Sequence, residues 1–255
     1  MRLVAPALVA ALTMAGCAGG ASDQLTVYAA ASLRDAFEDL ADAYTEKTGI
    51  SLVLSFDASS ALRAQITEGA PADVFASADL ASARTLVEEG LTDGDPAVFA
   101  ANALSIVAPV DGGAVDSWTD LAAPGARIIA AGHSVPITTY AEQLVSNLAD
   151  RTGAPEGFAT AYAANVVSRE DNVRAVLTKI AIGEGDAGIV YETDAASSDA
   201  VTVVDVPAEA NVLAEYAVVS LSDAAPHAAD FVSWLLGDAA QEILESHGFR
   251  PAGRR

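Results

Sequence analysis

The chain has 255 residues, of which 52% are hydrophobic and 6% aromatic, with 13 Lys and Arg, 35 Asp and Glu, and one cysteine. This length and apolar content exclude a disordered or disulfide-held peptide and allow one large or two modest globular domains. The formal net charge of -22 argues against nucleic acid as a partner, because an acidic surface repels phosphate backbones.

The N-terminus has the pattern of an export signal. A positive start at Arg2 is followed by an apolar run from Leu3 to Met14, which is shorter than the roughly 20 residues that span a bilayer. We therefore predict an exported protein with its signal in residues 1–17. No later stretch has the length of a transmembrane helix, and a lone cysteine excludes an internal disulfide.

The single cysteine, Cys17, stands where this apolar run ends, and a leader of mostly small residues, 18–24, follows it. The segment resembles a bacterial lipobox, although Met14 replaces the usual Leu. The resemblance implies that Cys17 is lipidated, becomes the mature N-terminus and tethers the protein to the outer face of the cell membrane or to the periplasmic side. The alternative is an incidental cysteine in a signal peptide that is cleaved elsewhere.

From residue 25 onward, short apolar runs alternate with helical periodicity, and Gly or Thr-Gly marks several helix ends. Because strands alternate with helices, we predict an α/β fold with mostly parallel sheets flanked by helices, and two lobes fit the length better than one. The predicted elements, in chain order, are strand Leu25–Ala31, helix Leu33–Lys47, strand Ile50–Phe56, helix Ser59–Glu68, strand Val74–Ser77, helix Leu80–Glu89, strands Leu104–Ala108 and Arg127–Ala131, helices Ile137–Asp150 and Asn172–Ile182, strands Gly188–Tyr191 and Tyr216–Leu221, and two helices ending near His247.

Sequence motifs of catalysis are missing. The chain has no nucleophile elbow, phosphate-binding loop, dinucleotide-binding glycine motif or zinc-protease motif. Its three histidines, His133, His227 and His247, have no metal-ligand spacing and are interpreted as surface or loop residues. We therefore predict a protein that is not an enzyme and has neither a cofactor nor a directly coordinated metal.

Hydroxyl side chains stand at the starts of helices that follow strands. Ser32 lies between the first strand and helix with Asp35 three residues later, which fits a capping box, and Ser59 and Ser60 have the same place after the second strand. Helix N-termini also expose N–H donors and about +0.5 charge each, so they bind anions without Lys or Arg. In open α/β sheets ligands bind at this edge, so capping and anion binding both remain open.

Five sequence segments together resemble the molybdate-binding proteins of bacterial molybdate ABC importers, and the matches continue in order to Gly248 and Phe249. The segments are Val27–Leu33 (VYAAASL), Ser55–Phe56 with Ser59–Ser60, Gly69–Ala78 (GAPADVFASA), Glu170–Arg174 (EDNVR) and Gly188–Tyr191 (GIVY). The resemblance implies a two-lobed α/β fold of the type II periplasmic binding proteins, in which each lobe is a mixed sheet flanked by helices and the cleft between lobes holds the oxyanion. It implies a first lobe of residues 25–104 and 217–255 and a second lobe of residues 105–216.

The same resemblance implies the function. The protein would capture molybdate, and tungstate as well, and deliver it to an ABC permease, acting as a monomer without nucleic acid. The alternatives are a receptor for another oxyanion such as sulfate, and an enzyme or sensory domain on the same fold.

The family holds its dianion with hydroxyls and backbone N–H groups, and these positions carry over to this chain. The implied ligand-binding residues are the side chains of Ser32, Ser59 and Tyr191 and the backbone N–H groups of Ile137 and Val173. Ser60 replaces Ser59 if the register is shifted by one, and the alternative for Tyr191 is an aromatic side chain packed in the core with its hydroxyl bonded to backbone.

Three positions depart from the family pattern. The segment Val135–Thr138 replaces the usual V-P-A-G, so Thr138 or Thr139 can take the place of Ile137 as a donor. Asn172 is inserted before Val173 and makes the helix start uncertain by one residue. Asp57 stands where the family has a small neutral residue, and because a carboxylate opposes an anion, we expect Asp57 to point outward.

Overall fold

The computed structural model describes residues 24–112 and 114–253, so the predicted signal segment and Cys17 lie outside the described residues. The strands are β1 (Gln24–Ala30), β2 (Ser51–Asp57), β3 (Val74–Ser77), β4 (Ala97–Pro109), β5 (Ile128–Ala131), β6 (Val166–Glu170), β7 (Ala187–Tyr191), β8 (Val201–Val204), β9 (Leu213–Ser220) and β10 (Arg250–Pro251). The helices are α1 (Arg34–Thr48), α2 (Ser59–Thr67), α3 (Leu80–Glu88), α4 (Pro136–Ala149), α5 (Phe158–Asn165), α6 (Val173–Ala181), α7 (Glu192–Ala196), α8 (Ala228–Leu235) and α9 (Asp238–Ser246). Short 3-10 turns occur at Ala31–Leu33 and Trp118–Ala122.

The strands form one continuous mixed sheet in the order β2-β1-β3-β9-β4-β7-β5-β6, with β8 and β10 paired to β4. Strands β1, β2 and β3 are parallel, as are β5, β6 and β7. The long strands β4 and β9 run antiparallel to their neighbours and separate the two parallel groups. The sheet is therefore less uniformly parallel than the alternation of elements predicts.

Strand β4 changes partners along its length. Its first part, Ala97–Ala103, pairs with β9, whereas Leu104–Val107 pairs with β7 and Ile106–Pro109 pairs with β8. We call β1–β3, β9 and β10 with the helices α1–α3, α8 and α9 the first half, and β5–β8 with α4–α7 the second half. Strand β4 runs through both halves.

The core is densest along the strands that are covered on both faces. All residues of β3 and β7 are buried, and β4 is buried from Phe99 to Pro109, which explains why these segments are continuous apolar runs. Aromatic rings join the two halves through the middle: Tyr216 makes edge-to-face contacts with Phe99, Tyr191 and Phe249, with ring centroids 5.4–6.3 Å apart.

Candidate functional site

The carboxyl ends of the parallel strands in both halves face one cleft. Strands β1 and β2 are followed there by the 3-10 turn before α1 and by α2, and β5 and β6 are followed by α4 and α6. The cleft is lined by all five residues that the sequence predicts, together with small and apolar neighbours: Ala30, Ala31, Ser32, Ala58, Ser59, Ala78, Val135, Pro136, Ile137, Asn172, Val173 and Tyr191.

Ser32 is buried in the 3-10 turn and does not cap α1. The N-cap position of α1 is Leu33, without a side-chain bond, and Asp35 pairs elsewhere. The Ser32 hydroxyl lies 2.9 Å from the hydroxyl of Tyr216, which is on β9. The capping-box interpretation of Ser32 is therefore wrong.

Ser59 is buried at the first position of α2 and also does not cap its helix, whose N-cap is Ala58. Its Oγ accepts a hydrogen bond of 2.9 Å from the backbone N–H of Ala78. Since a hydroxyl that accepts in this way keeps its own hydrogen for another acceptor, Ser59 can donate into the cleft. Ser60 is half-buried and is not among the residues that line the cleft.

Tyr191 ends β7 with its side chain 1% exposed. Its hydroxyl is buried and has no hydrogen-bond partner among the described residues, so it is not bonded to backbone as the alternative required. Burial, followed by the charges of neighbouring groups, raises the pKa of Tyr191 well above its usual value, so the hydroxyl stays protonated and can donate. A buried donor left unpaired costs about 1–3 kcal/mol, which a ligand oxygen in the cleft would offset.

Two backbone donors complete the lining. Val173 is the first residue of α6 and Ile137 is the second residue of α4, after Pro136, which has no N–H. N–H groups in the first turn of a helix have no partner within the helix. Thr138 does not replace Ile137, because its hydroxyl donates to the backbone oxygen of Gly132 at 2.8 Å and it does not line the cleft.

The cleft has no charged side chain in its described lining, yet its geometry suits an anion. Among the described residues that line it, none is Lys, Arg, Asp or Glu. Instead, the N-terminal ends of α2, α4 and α6 and of the turn before α1 meet there, and each helix end contributes up to about half a positive charge. Sequence patterns place these ends at strand termini, but only the fold brings them together.

Asp57 does not point outward, so that expectation is wrong. The side chain is half-buried, and its Oδ1 accepts hydrogen bonds from the N–H of Ala58 at 2.7 Å and from the side-chain amide of Asn172 at 3.1 Å. Asn172 also caps α6, because its Oδ1 accepts from the N–H of Ala175 at 3.0 Å. The helix start is thereby fixed, with Asn172 at the N-cap and Val173 as the first helical residue.

A buried polar group beneath Ser32 was not found from the sequence. Asn102, fully buried in β4, donates to the hydroxyl of Thr193 at 2.8 Å and lies near Tyr216. Burial, and then the charge of Asp194, raise the pKa of Tyr216 well above its usual value, although its hydrogen bonds with Ser32 and Asn102 act in the opposite direction. The signal was present, since Asn102 is one of only two polar residues, with Ser105, in the long apolar strand β4, but nothing in the sequence connects it with Ser32.

Arg174 is the second group that the sequence did not single out. Its Nη2 lies 2.6 Å from the carboxylate of Asp35 on α1, and its Nε lies 2.7 Å from that of Asp194 on α7. Asp194 is fully buried, and burial raises its pKa to about 6 although the charge of Arg174 acts in the opposite direction. The guanidinium therefore contacts a carboxylate in each half.

Elsewhere the described residues carry no cluster of His, Cys, Asp and Glu suited to a metal ion. His133 is exposed, His227 lies at the start of α8, and His247 lies at the end of α9, 2.7 Å from Asp39. Within the same part of the chain, the helices are too short or too polar to cross a bilayer.

Comparison with known sequences relates residues 25–250 to the family of bacterial extracellular solute-binding proteins. One relative is the molybdate-binding protein ModA of Mycobacterium tuberculosis, which is 34% identical, with 97% of this chain and 95% of the relative covered.

Two solved structures have the same two-lobed fold. The periplasmic molybdate-binding protein of Azotobacter vinelandii superimposes with a TM-score of 0.74 at 26% identity, covering 88% of this chain and 98% of the other. The sulfate-binding protein SubI of M. tuberculosis gives a TM-score of 0.77 at 19% identity, covering 90% and 87%. At 19% identity the second likeness concerns the fold alone, so the fold does not select between the two oxyanions.

Proposed function

The chain belongs to the bacterial extracellular solute-binding proteins, and on that basis we propose that it captures molybdate outside the cytoplasm and delivers it to an ABC importer. The observation that carries the proposal is the buried Tyr191 hydroxyl, which has no partner among the described residues and lies in a cleft lined by other neutral donors. The 34% identity to a molybdate-binding protein over 97% of the chain supports the choice of ligand.

In this proposal, the hydroxyls of Ser32, Ser59 and Tyr191 and the N–H groups of Ile137 and Val173 donate to the oxygens of one dianion. Both serine hydroxyls are buried, and Ser59 has its acceptor capacity engaged by Ala78, so its hydrogen is directed to the ligand. The two backbone donors come from helix starts, whose partial positive charge adds to the attraction.

The donor-only lining discriminates among oxyanions by protonation. Molybdate and tungstate are acceptor-only dianions near neutral pH, whereas phosphate keeps a proton that needs an acceptor. In a buried cleft without one, that proton costs about 1–3 kcal/mol, so phosphate is disfavoured. Sulfate is acceptor-only too but smaller, and it would form longer, weaker hydrogen bonds in a site fitted to molybdate. Tungstate is nearly the size of molybdate and should bind as well.

The two halves correspond, in this proposal, to a first lobe of residues 25–104 and 217–255 and a second lobe of residues 105–216, which close over the anion. The change of partners in β4 at Leu104 supports the first boundary. Closure creates the surface that the permease recognises. We further propose that Cys17 anchors the exported protein by a lipid, and that the protein acts as a monomer and catalyses no reaction.

Calorimetric titration of the chain from Ser22 onward with molybdate, tungstate, sulfate and phosphate tests the ligand. We expect tight binding of molybdate and tungstate, much weaker binding of sulfate and none of phosphate. Tight binding of sulfate or phosphate together with no binding of molybdate would overturn the proposal.

The same titration with a Ser32→Ala, Tyr191→Phe double variant tests the site. Removal of two donors to a charged group should weaken molybdate binding by at least about a hundredfold, at about 1.5–3 kcal/mol each. A Tyr44→Phe variant is the control, because Tyr44 is buried near the C-terminal end of α1, where it packs on Phe231 and does not line this cleft. Wild-type affinity in the double variant would show that these residues are not the ligands.

A further inference from the structure

The backbone donor Val173 lies between two side chains that each bond to the opposite half of the molecule. On one side, the amide of Asn172 donates to Oδ1 of Asp57 at 3.1 Å. On the other side, Nη2 of Arg174 donates to Oδ2 of Asp35 at 2.6 Å. Asn172 and Arg174 belong to the second half at the start of α6, whereas Asp57 ends β2 and Asp35 is in the first turn of α1.

We propose that these two pairs, Asn172–Asp57 and Arg174–Asp35, form a latch that keeps the cleft closed over the oxyanion and positions the N–H of Val173 toward it. The proposal rests on the proposed function, and it adds Asp35, Asp57 and Arg174, which do not line the cleft, to Asn172, which does. According to this proposal, the bound anion is released only as fast as the latch opens.

The first pair is rigid at both ends. The Oδ1 of Asn172 is engaged as the N-cap of α6, so the side-chain amide has a fixed direction toward Asp57. The Oδ1 of Asp57 also accepts from the N–H of Ala58 at 2.7 Å, just before Ser59. This bond therefore connects a backbone donor of one half with a serine donor of the other.

In the second pair, Arg174 is fixed in place by further contacts within its own half. The guanidinium of Arg174 is fixed within the second half by Asp194, which is 0% exposed, through the 2.7 Å contact at Nε, and by the hydroxyl of Ser197 at 3.1 Å. Its remaining nitrogen is thereby aimed at Asp35, three residues after Ser32. Both pairs thus join the halves within three residues of a cleft serine.

The latch also accounts for two departures of this chain from the pattern of the molybdate-binding proteins. Asn172 is inserted and Asp57 is a carboxylate where that pattern has a small neutral residue, and the fold pairs these two residues with each other. A carboxylate near an anion site weakens binding unless its charge is engaged. The charge of Asp57 is engaged by hydrogen bonds from the side chain of Asn172 and the N–H of Ala58. Only the bond from Asn172 joins the two halves, so it is the one that breaks when the halves separate.

Exchanging the two side chains of the first pair, one at a time and then together, tests this pair. The single variant Asn172→Asp retains the N-cap of α6, because Asp caps as well as Asn, but two carboxylates now face each other across the cleft. Release of molybdate should become at least about tenfold faster, the equivalent of about one charged hydrogen bond. Adding Asp57→Asn to that variant restores a donor opposite an acceptor and the original net charge, so release should return to the wild-type rate. Asp57→Asn alone keeps an acceptor for Asn172 and should bind molybdate no more weakly than the wild type.

Asp35→Asn tests the second pair at a half-exposed position. Release of molybdate should become a few-fold faster, on the scale of a partly exposed ion pair, about 0.5–1 kcal/mol. The matched control is Glu209→Gln, which removes the partner of Arg151 from an exposed ion pair within the second half and should leave release unchanged.

If the wild type binds molybdate, the latch is tested by the rates at which the wild type, Asn172→Asp and the double exchange release it, measured by stopped-flow mixing. A double exchange that remains as fast as Asn172→Asp would mean that the charge at position 172 acts on the anion directly, and the latch would be wrong. If the wild type binds no molybdate, the proposed function fails, and small-angle X-ray scattering of the anion-free proteins decides the latch. The radius of gyration should then increase in Asn172→Asp and return in the double exchange, and equal values in all three proteins would overturn the latch.

Discussion

At the residue scale, the hydroxyl of Ser32 keeps its hydrogen for an anion when a neighbouring group donates a hydrogen bond to its oxygen. Tyr216, 2.9 Å away, is the neighbour that can fill this role, and its raised pKa keeps its hydroxyl protonated. Tyr216 is fully buried on β9 and does not line the cleft. It is therefore a positioning residue that directs the hydrogen of Ser32 toward the ligand.

Tyr216→Phe should therefore weaken molybdate binding although the ring is retained. Loss of one orienting hydrogen bond to Ser32 should cost about 1 kcal/mol, or about fivefold in Kd. Calorimetry measures the change, with Tyr44→Phe as the control, since Tyr44 is a buried tyrosine that packs on Phe231 far from the cleft. Because Ser32→Ala already removes the donor, adding Tyr216→Phe to it should weaken binding no further. Additive losses would contradict the positioning role.

Asp194 should make stability depend on pH in the direction opposite to most carboxylates. Its folded pKa of about 6 lies above the ordinary value of 3.8, so the folded state binds the proton more tightly than the unfolded state does. Stability from this group is therefore fully present below about pH 4 and is lost as pH rises through about 6, by at most about 3 kcal/mol.

Asp194→Asn, which has no proton to lose, tests this dependence. The free energy of unfolding of the variant minus that of the wild type should increase between pH 4 and pH 7, as measured by urea unfolding at several pH values. A difference that is constant with pH would show that Arg174 keeps Asp194 ionised throughout this range.

The residues of the site divide into those that sequence could identify and those that needed the fold. Ser32, Ser59 and Tyr191 stand in recognisable strings at strand ends, so a family resemblance points to them. Asn102 and Tyr216 are distant in sequence and form a group only because β4 and β9 are neighbours in the sheet. The direction of Asp57 was mispredicted because its partner, Asn172, is 115 residues away.

At the element scale, helix α6 carries Val173 to the cleft because it packs closely on β7. Gly188, the second residue of β7, makes this approach possible: a Cβ there would lie 2.9 Å from Cγ1 of Val176 and 3.0 Å from the backbone oxygen of Ile129. The first distance is shorter than Cβ contacts in proteins, and the second is tighter than most of them and involves backbone. The glycine of the GIVY string is thus required by packing rather than by backbone conformation.

Gly188→Ala should lower the free energy of unfolding by about 1–3 kcal/mol, the usual cost of overpacking a core. Thermal or urea unfolding measures it. The matched control is Gly132→Ala, where the added Cβ meets its nearest atoms at 3.5 and 3.7 Å, ordinary contact distances. A Gly188→Ala protein as stable as the control would mean that α6 can shift away from β7 without loss.

Periodicity predicted the long amphipathic helices, such as α1 and α4, and the buried strands β1, β3 and β7. It missed α5, β6, α7 and β8, which are short or lack a clear apolar face, as in the exposed middle of β8. It also placed the start of β4 at Leu104, whereas the strand begins at Ala97. The alanines of that segment carry little strand preference, and its pairing with the distant β9 determines its structure.

At the scale of the whole molecule, an acidic protein is proposed to bind a dianion. The net charge of -22 lies on the chain as a whole, whereas the described residues that line the cleft carry no charge and present helix ends and hydroxyls. The acidic surface and the cleft donors act on the anion over different distances. Donors within the closed cleft act over hydrogen-bond distances, but the acidic surface acts on the anion during its approach, over about one Debye length.

Salt should therefore act on association and leave release unchanged. Raising NaCl from about 10 to about 150 mM shortens the Debye length from about 30 to about 8 Å, so the repulsion between the acidic surface and molybdate weakens and the association rate constant should rise several-fold. The release rate should change little, because the cleft donors are buried and screened weakly.

Stopped-flow mixing at several ionic strengths gives both rate constants, and potassium glutamate in place of NaCl controls for competition by chloride. An association rate that falls with salt would mean that the positive helix ends attract the anion from a distance and outweigh the acidic surface. A rate that rises would instead support an acidic surface that slows the approach of molybdate, with affinity derived from short-range donors that act only after the anion has entered.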